Sequence, residues 1–144
     1  MIVIRTVQAD VDAIERIHRE YTASINAGNV EQVLASLTTD AILLPPNEPP
    51  AAGLEEVRSW FQRLADHIDQ ITFTEATLIL DEIVVAGDWA FSRATLHVTI
   101  QPKAGGPSVS DATKTILIWQ RQPNGSWKIS HDIWNSNNPP PGGQ

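Results

Sequence analysis

The chain of 144 residues contains no cysteine. That absence removes disulfides, thiol nucleophiles, iron–sulfur clusters and thiolate zinc sites together. Positive charge is scarce as well: 10 Lys and Arg stand against 17 Asp and Glu, a formal net charge of −7, and no basic run concentrates potential on one face. Nucleic acid and membrane surfaces are therefore not the expected partners. Long hydrophobic runs are also missing, the longest being about four residues against the roughly 20 that a membrane helix needs. The opening MIVIRTVQADVDAIERIH holds no hydrophobic region of signal-peptide length, and a soluble, cytoplasmic protein is expected.

Cofactor motifs are equally sparse. The four histidines are scattered without His-x-x-x-His spacing, and no calcium loop, Gly-x-Gly-x-x-Gly turn, Walker loop or Gly-x-Ser-x-Gly elbow occurs. No metal and no cofactor are expected, so any chemistry would be acid–base chemistry by side chains alone.

What is present divides into a helical first half and a strand-rich second half. Asp10 reads as the N-cap of a first helix, with Ile14, Ile17, Tyr21 and Ile25 on one face and Gly28 at its end. Asn29 and Gln32 form a capping pair for a short second helix carrying Val30, Val33, Leu34 and Leu37. Ala41-Ile42-Leu43-Leu44 reads as a brief strand stopped by Pro45-Pro46, with a loop from Asn47 to Gly53. A third helix begins with Glu55 and Glu56 at its positive end and places Val57, Trp60, Phe61, Leu64 and Ile68 on one face.

Four strands follow, from about Ile71 to Val85, Trp89 to Ile100, a third ending Ile116-Leu117-Ile118-Trp119, and Trp127 to about Asn135. Gly87-Asp88 and Pro123-Asn124-Gly125 supply turns. The expected architecture is α+β: three helices covering one face of a curved antiparallel sheet, in one domain over 1–137 with a loosely held Pro/Gly tail over 138–144. The uncovered sheet face points to a homodimer.

Tyr21-Thr22-Ala23-Ser24-Ile25-Asn26-Ala27-Gly28-Asn29, Thr39-Asp40-Ala41 with its proline-rich exit, the helix after Gly53, and Gly125-Ser126-Trp127-Lys128-Ile129-Ser130-His131-Asp132-Ile133-Trp134-Asn135-Ser136-Asn137 together resemble the SnoaL-like group of the nuclear-transport-factor-like superfamily. The resemblance implies a cone-shaped α+β barrel, usually dimeric, with a pocket between sheet and helices. It does not settle function, because the superfamily holds isomerases, cyclases, epoxide hydrolases, dehydratases and non-catalytic domains. Compared with ketosteroid isomerase, Tyr21 matches the oxyanion tyrosine, whereas the general-base aspartate would fall at Pro45 and the third-strand acid at Thr115-Ile116-Leu117-Ile118. The resemblance thus argues against steroid-type isomerisation by that arrangement.

Asp132 is the first acid–base candidate, as a carboxylate on the last strand of a concave sheet, and SnoaL-like cyclases also place such an aspartate late in the chain. Strict alternation sets Asp132 with Ser130 and Trp134, opposite Ile129, His131 and Ile133, so either His131 or Asp132 faces the pocket. Tyr21 would donate to a developing oxyanion while Asp132 or His131 moves the proton. Candidate ligand contacts are His18 near Tyr21, Trp60 on the third helix, Arg93 and His97 in a polar stripe with Thr95 and Thr99, and Trp134 and Asn135 on the last strand. Each also has a purely structural reading: a core tryptophan, a solvated or dimer-facing stripe, an asparagine capping the sheet. The expected ligand is a small, apolar, oxygen-bearing molecule, and the alternative is a non-catalytic ligand-binding or association dimer.

Overall fold

The computed structural model describes residues 7–139. Three helices, α1 (Val7–Asn26), α2 (Val30–Ala35) and α3 (Leu54–Ile68), combine with six strands: β1 (Leu37–Leu44), β2 (Ala51–Ala52), β3 (Ile71–Ala86), β4 (Trp89–Pro102), β5 (Val109–Arg121) and β6 (Trp127–Ser136). The strands form one curved, open sheet in the order β2-β1-β6-β5-β4-β3. None of the helices is long and apolar enough to cross a membrane among the described residues.

The helix boundaries follow local chemistry. Gly28, at φ 69°, takes the left-handed turn that ends α1. Asn29 then accepts the Gln32 N–H at 3.2 Å, starting α2. Asp10 is not a cap, because α1 already begins by Val7 and places it in the first turn. Its carboxylate instead receives two 2.9 Å hydrogen bonds from Arg121 on β5 and one from the Trp127 indole on β6. The Arg121 guanidinium also lies 4.3 Å over the Trp127 ring. Leu37, assigned by spacing to the α2 stripe, opens β1 and pairs with Ile129, since the helix stops at Ala35 and the inward register of the sheet claims the side chain.

The sheet is mixed rather than wholly antiparallel. β1 runs parallel to β6, with Ile42, Leu43 and Leu44 opposite His131, Asp132 and Ile133, while the other pairings are antiparallel. A two-residue alanine strand, β2, lies within the segment expected to be loop. The Gly87-Asp88 turn joins β3 and β4 with Ala86 directly opposite Trp89, and Gly87 supplies the positive φ that a two-residue hairpin needs. Residues 138 and 139 continue past β6, and the remainder of the expected tail, 140–144, lies outside the described residues.

One irregularity sets which side chains reach the interior. Along β5 and β6 the partners step from Ile118↔His131 to Trp119↔Ile129, so Ser130 is an extra residue in β6. This bulge lets Ile129 and Asp132, three apart, both face inward, which strict alternation forbids. Ile129 and Trp119 are fully buried and Asp132 is 5% exposed.

The Arg121 side chain is 9% exposed and Asp10's 13%, whereas Asp88, its other partner, is 76% exposed. Asp10→Ala is expected to cost about 2–4 kcal/mol by leaving a nearly buried guanidinium underpaired, and Asp88→Ala less than about 1 kcal/mol. Urea unfolding of the two variants side by side checks the contrast.

Candidate functional site

A cavity of about 320 Å³ opens between α1, α3 and the concave sheet face. Its walls are mainly apolar, including Ile25, Phe61, Leu64, Leu96, Val98 and Leu117. Such a volume lies at the lower end of the range for small-molecule sites. Trp60 and Trp134 meet edge to face at 5.1 Å between ring centroids and together form part of the lining. Helical spacing on α3 brings Trp60, Phe61, Leu64 and Ile68 to this wall.

Asp132 and Tyr21 meet here across 111 positions of sequence. The Tyr21 hydroxyl donates to Asp132 Oδ2 at 2.7 Å, both groups buried. Asp132 Oδ1 is buried with no hydrogen-bond partner among the described residues. Burial in apolar surroundings pushes the carboxyl from its ordinary 3.8 up to about 7, and the Tyr21 hydrogen bond pulls partly the other way. The Tyr21 hydroxyl is itself raised well above its usual value, first by burial and then by the neighbouring Asp132 charge and hydrogen bond. Tyr21 therefore spends its proton on Asp132, whereas the sequence had assigned that proton to an oxyanion on the ligand.

His18, one helical turn before Tyr21, lines the same cavity at 2% exposure. Its Nδ1 lies 3.0 Å from Ser92 Oγ, which also accepts the Trp119 indole N–H at 2.8 Å. Burial, and secondarily the positive charge of Arg19, lower the imidazole from 6.5 to about 4, so it is neutral at pH 7.

Other sequence candidates lie elsewhere. His131 is on the opposite face from Asp132, half-buried, with Nδ1 2.9 Å from Ser130 Oγ. Arg93 and His97 also face outward, because the inward phase of β4 belongs to Ala94, Leu96, Val98 and Ile100. Arg93 pairs with Glu82 at 2.9 Å and Asp81 at 3.6 Å, and His97 borders a shallow outer depression with Glu75 and Asp111. Asn135 is exposed and absent from the cavity lining. Sequence reading passed over Ser92, although a polar residue in the apolar phase of β4, between Ala90 and Ala94, was a visible signal. It also passed over Thr113 and Thr115, inward on β5. No three His, Asp or Glu side chains gather in a metal-holding group among the described residues.

The two buried titratable groups act on stability with opposite signs. Unfolded Asp132 releases its proton near 3.8 while the native group keeps it to about 7, so its contribution is complete below about pH 4 and lost as pH rises through about 7. The span corresponds to roughly 4 kcal/mol. Native His18 refuses the proton that the unfolded chain accepts at 6.5, so its contribution is complete above that pH and lost as pH falls towards about 4. Asp132→Asn should thus gain stability relative to the parent between pH 5 and pH 8, measured by urea unfolding; an unchanged difference would mean that Asp132 ionises freely in the native state.

The profile of the SnoaL-like domain family matches residues 18–127. No curated protein matches the chain. Among solved structures, a ketosteroid isomerase-like protein from Erwinia carotovora atroseptica superposes with a TM-score of 0.77 at 24% identity, covering 89% of this chain and 96% of that one. A nuclear transport factor 2-like superfamily protein from Salmonella enterica serovar Typhimurium gives 0.73 at 19% identity, covering 96% and 99%. A protein from Novosphingobium aromaticivorans, described as having a cystatin-like fold, gives 0.72 at 16%, covering 94% and 86%. These likenesses establish the shared cone-shaped α+β fold, and with the family profile spanning most of its length this chain belongs to the SnoaL-like domain family.

Proposed function

We propose that the cavity is the site of a cofactor-independent acid–base reaction on a small, apolar, oxygen-bearing molecule, with Asp132 as the group that moves the proton. The observation that carries this reading is a carboxyl on the wall of an apolar cavity, one oxygen fixed by Tyr21 and the other unpartnered among the described residues, with proton affinity near neutrality. As carboxylate, Asp132 takes a proton from a carbon beside a carbonyl, and the C–H electron pair moves into the enolate. As acid, it returns that proton to another carbon, so atoms and charge balance without a redox partner. Pro45, where the isomerase base would fall, has no proton to exchange, which leaves the task to β6. The name of the Erwinia relative points the same way.

Tyr21 is the positioning residue: it holds one carboxyl oxygen and lowers the carboxyl's proton affinity. Deuterium incorporation from D2O into a panel of small neutral ketones, followed by NMR, tests the reading. Exchange should rise with pH through about 7 and fall roughly 100-fold or more in Asp132→Asn. In Tyr21→Phe the profile should move to higher pH, because the lost hydrogen bond was lowering the carboxyl pKa. No exchange with any ketone, together with equal ketone binding by the parent and Asp132→Asn, would favour a carrier.

The outer sheet face supports the association partner inferred from sequence, a second copy of the chain. Cross-strand rows place Val84, Phe91 and Ile118 beside one another and set Ile116 directly against Ile133, and these two isoleucines remain 40% and 41% exposed. Light scattering at micromolar concentration should give a dimer mass that Ile116→Asp halves; a monomeric parent would overturn this.

A further inference from the structure

Resting on the reading of the cavity as a ligand site, we infer that His18 is a built-in neutral hydrogen-bond donor that anchors the carbonyl oxygen of an uncharged ligand through Nε2–H, its tautomer fixed by Ser92 and Trp119. The Trp119 indole can only donate, and it donates to Ser92 Oγ at 2.8 Å. Ser92 is fully buried, so its own hydroxyl proton needs an acceptor, and among the described residues the other side-chain partner at hydrogen-bond distance is His18 Nδ1 at 3.0 Å. Were Nδ1 protonated, it and the Trp119 indole would both donate to Ser92 Oγ, and the serine's own proton would be stranded. Nδ1 therefore accepts, and the ring proton sits on Nε2.

Nε2 makes no hydrogen bond among the described residues, while His18 itself lines the cavity. The lowered imidazole pKa keeps this a donor without charge. That matters for what the cavity accepts. Among the described residues no Lys or Arg lines it, and besides His18 its one basic side chain is His67, so a carboxylate or phosphate would meet no permanent positive charge and would sit beside a carboxyl that is itself partly ionised. A neutral ketone or enone meets a neutral donor, apolar walls and the free oxygen of Asp132.

The test uses the full chain with 1-tetralone and tetralin, two neutral bicyclic probes that differ by one carbonyl. Long-range proton–nitrogen NMR of histidine-labelled protein should show His18 as the Nε2–H tautomer at pH 7, and Ser92→Ala should mix the tautomers. Tetralone should bind roughly threefold to tenfold tighter than tetralin and shift the His18 Nε2–H resonance, which tetralin leaves in place. An Nδ1–H tautomer in the parent overturns the inference without any ligand. Equal affinities, with cavity resonances moved but His18 unmoved, overturn it while the cavity stands as a ligand site. If neither probe perturbs a cavity resonance, the ligand-site reading fails and this inference with it.

Discussion

The hydrogen bond from Tyr21 to Asp132 is the constraint on which the site depends. A carboxyl brought into an apolar cavity loses its hydration, and a single 2.7 Å hydrogen bond returns only part of it. The imbalance is expressed as raised proton affinity rather than as a buried charge. The surrounding architecture preserves that imbalance. The apolar faces of α1 and α3 keep solvent from one side of the cavity, and inward residues of β4 and β5 keep it from the other. A second polar group near the free Oδ1 would have quieted the carboxyl.

The helices and long strands were legible because their hydrophobic periods are clean. The face of α3, the turns at Gly28, Gly87 and Gly125, and the capping pair at Asn29 are all local signals. The parallel pairing of β1 with β6 was not legible, since it depends on two segments about 90 residues apart meeting in register, and no local pattern encodes partner or direction. Leu37 was misassigned for a related reason: an apolar residue just past a helix satisfies a helical stripe and an inward strand position equally well.

At the site, the choice between His131 and Asp132 could not be made by alternation, because Ser130 breaks the alternation. A reader holding Ile129 inward by its hydrophobicity would have turned Asp132 outward. The extra residue removes that conflict and is visible only in the pairing with β5. The polar stripe of Arg93 and His97 misled in the opposite way. It is a genuine stripe, but on the face away from the cavity, where Arg93 pairs with Glu82 and Asp81 on β3. Tyr21 and Asp132 were each legible as candidates, but that one holds the other came from geometry alone.

The parallel contact between the first full strand and the last also has a temporal consequence. During synthesis the helices and β1 emerge well before β6, the strand that seals the centre of the sheet and carries Asp132. Contacts between such distant segments slow folding and leave sheet edges unpaired until late. The carboxyl and the tyrosine that holds it can meet only after that last strand has inserted. The chain thus acquires its proton-handling pair in the same step that completes its sheet, and an incompletely folded molecule carries no half-built version of it.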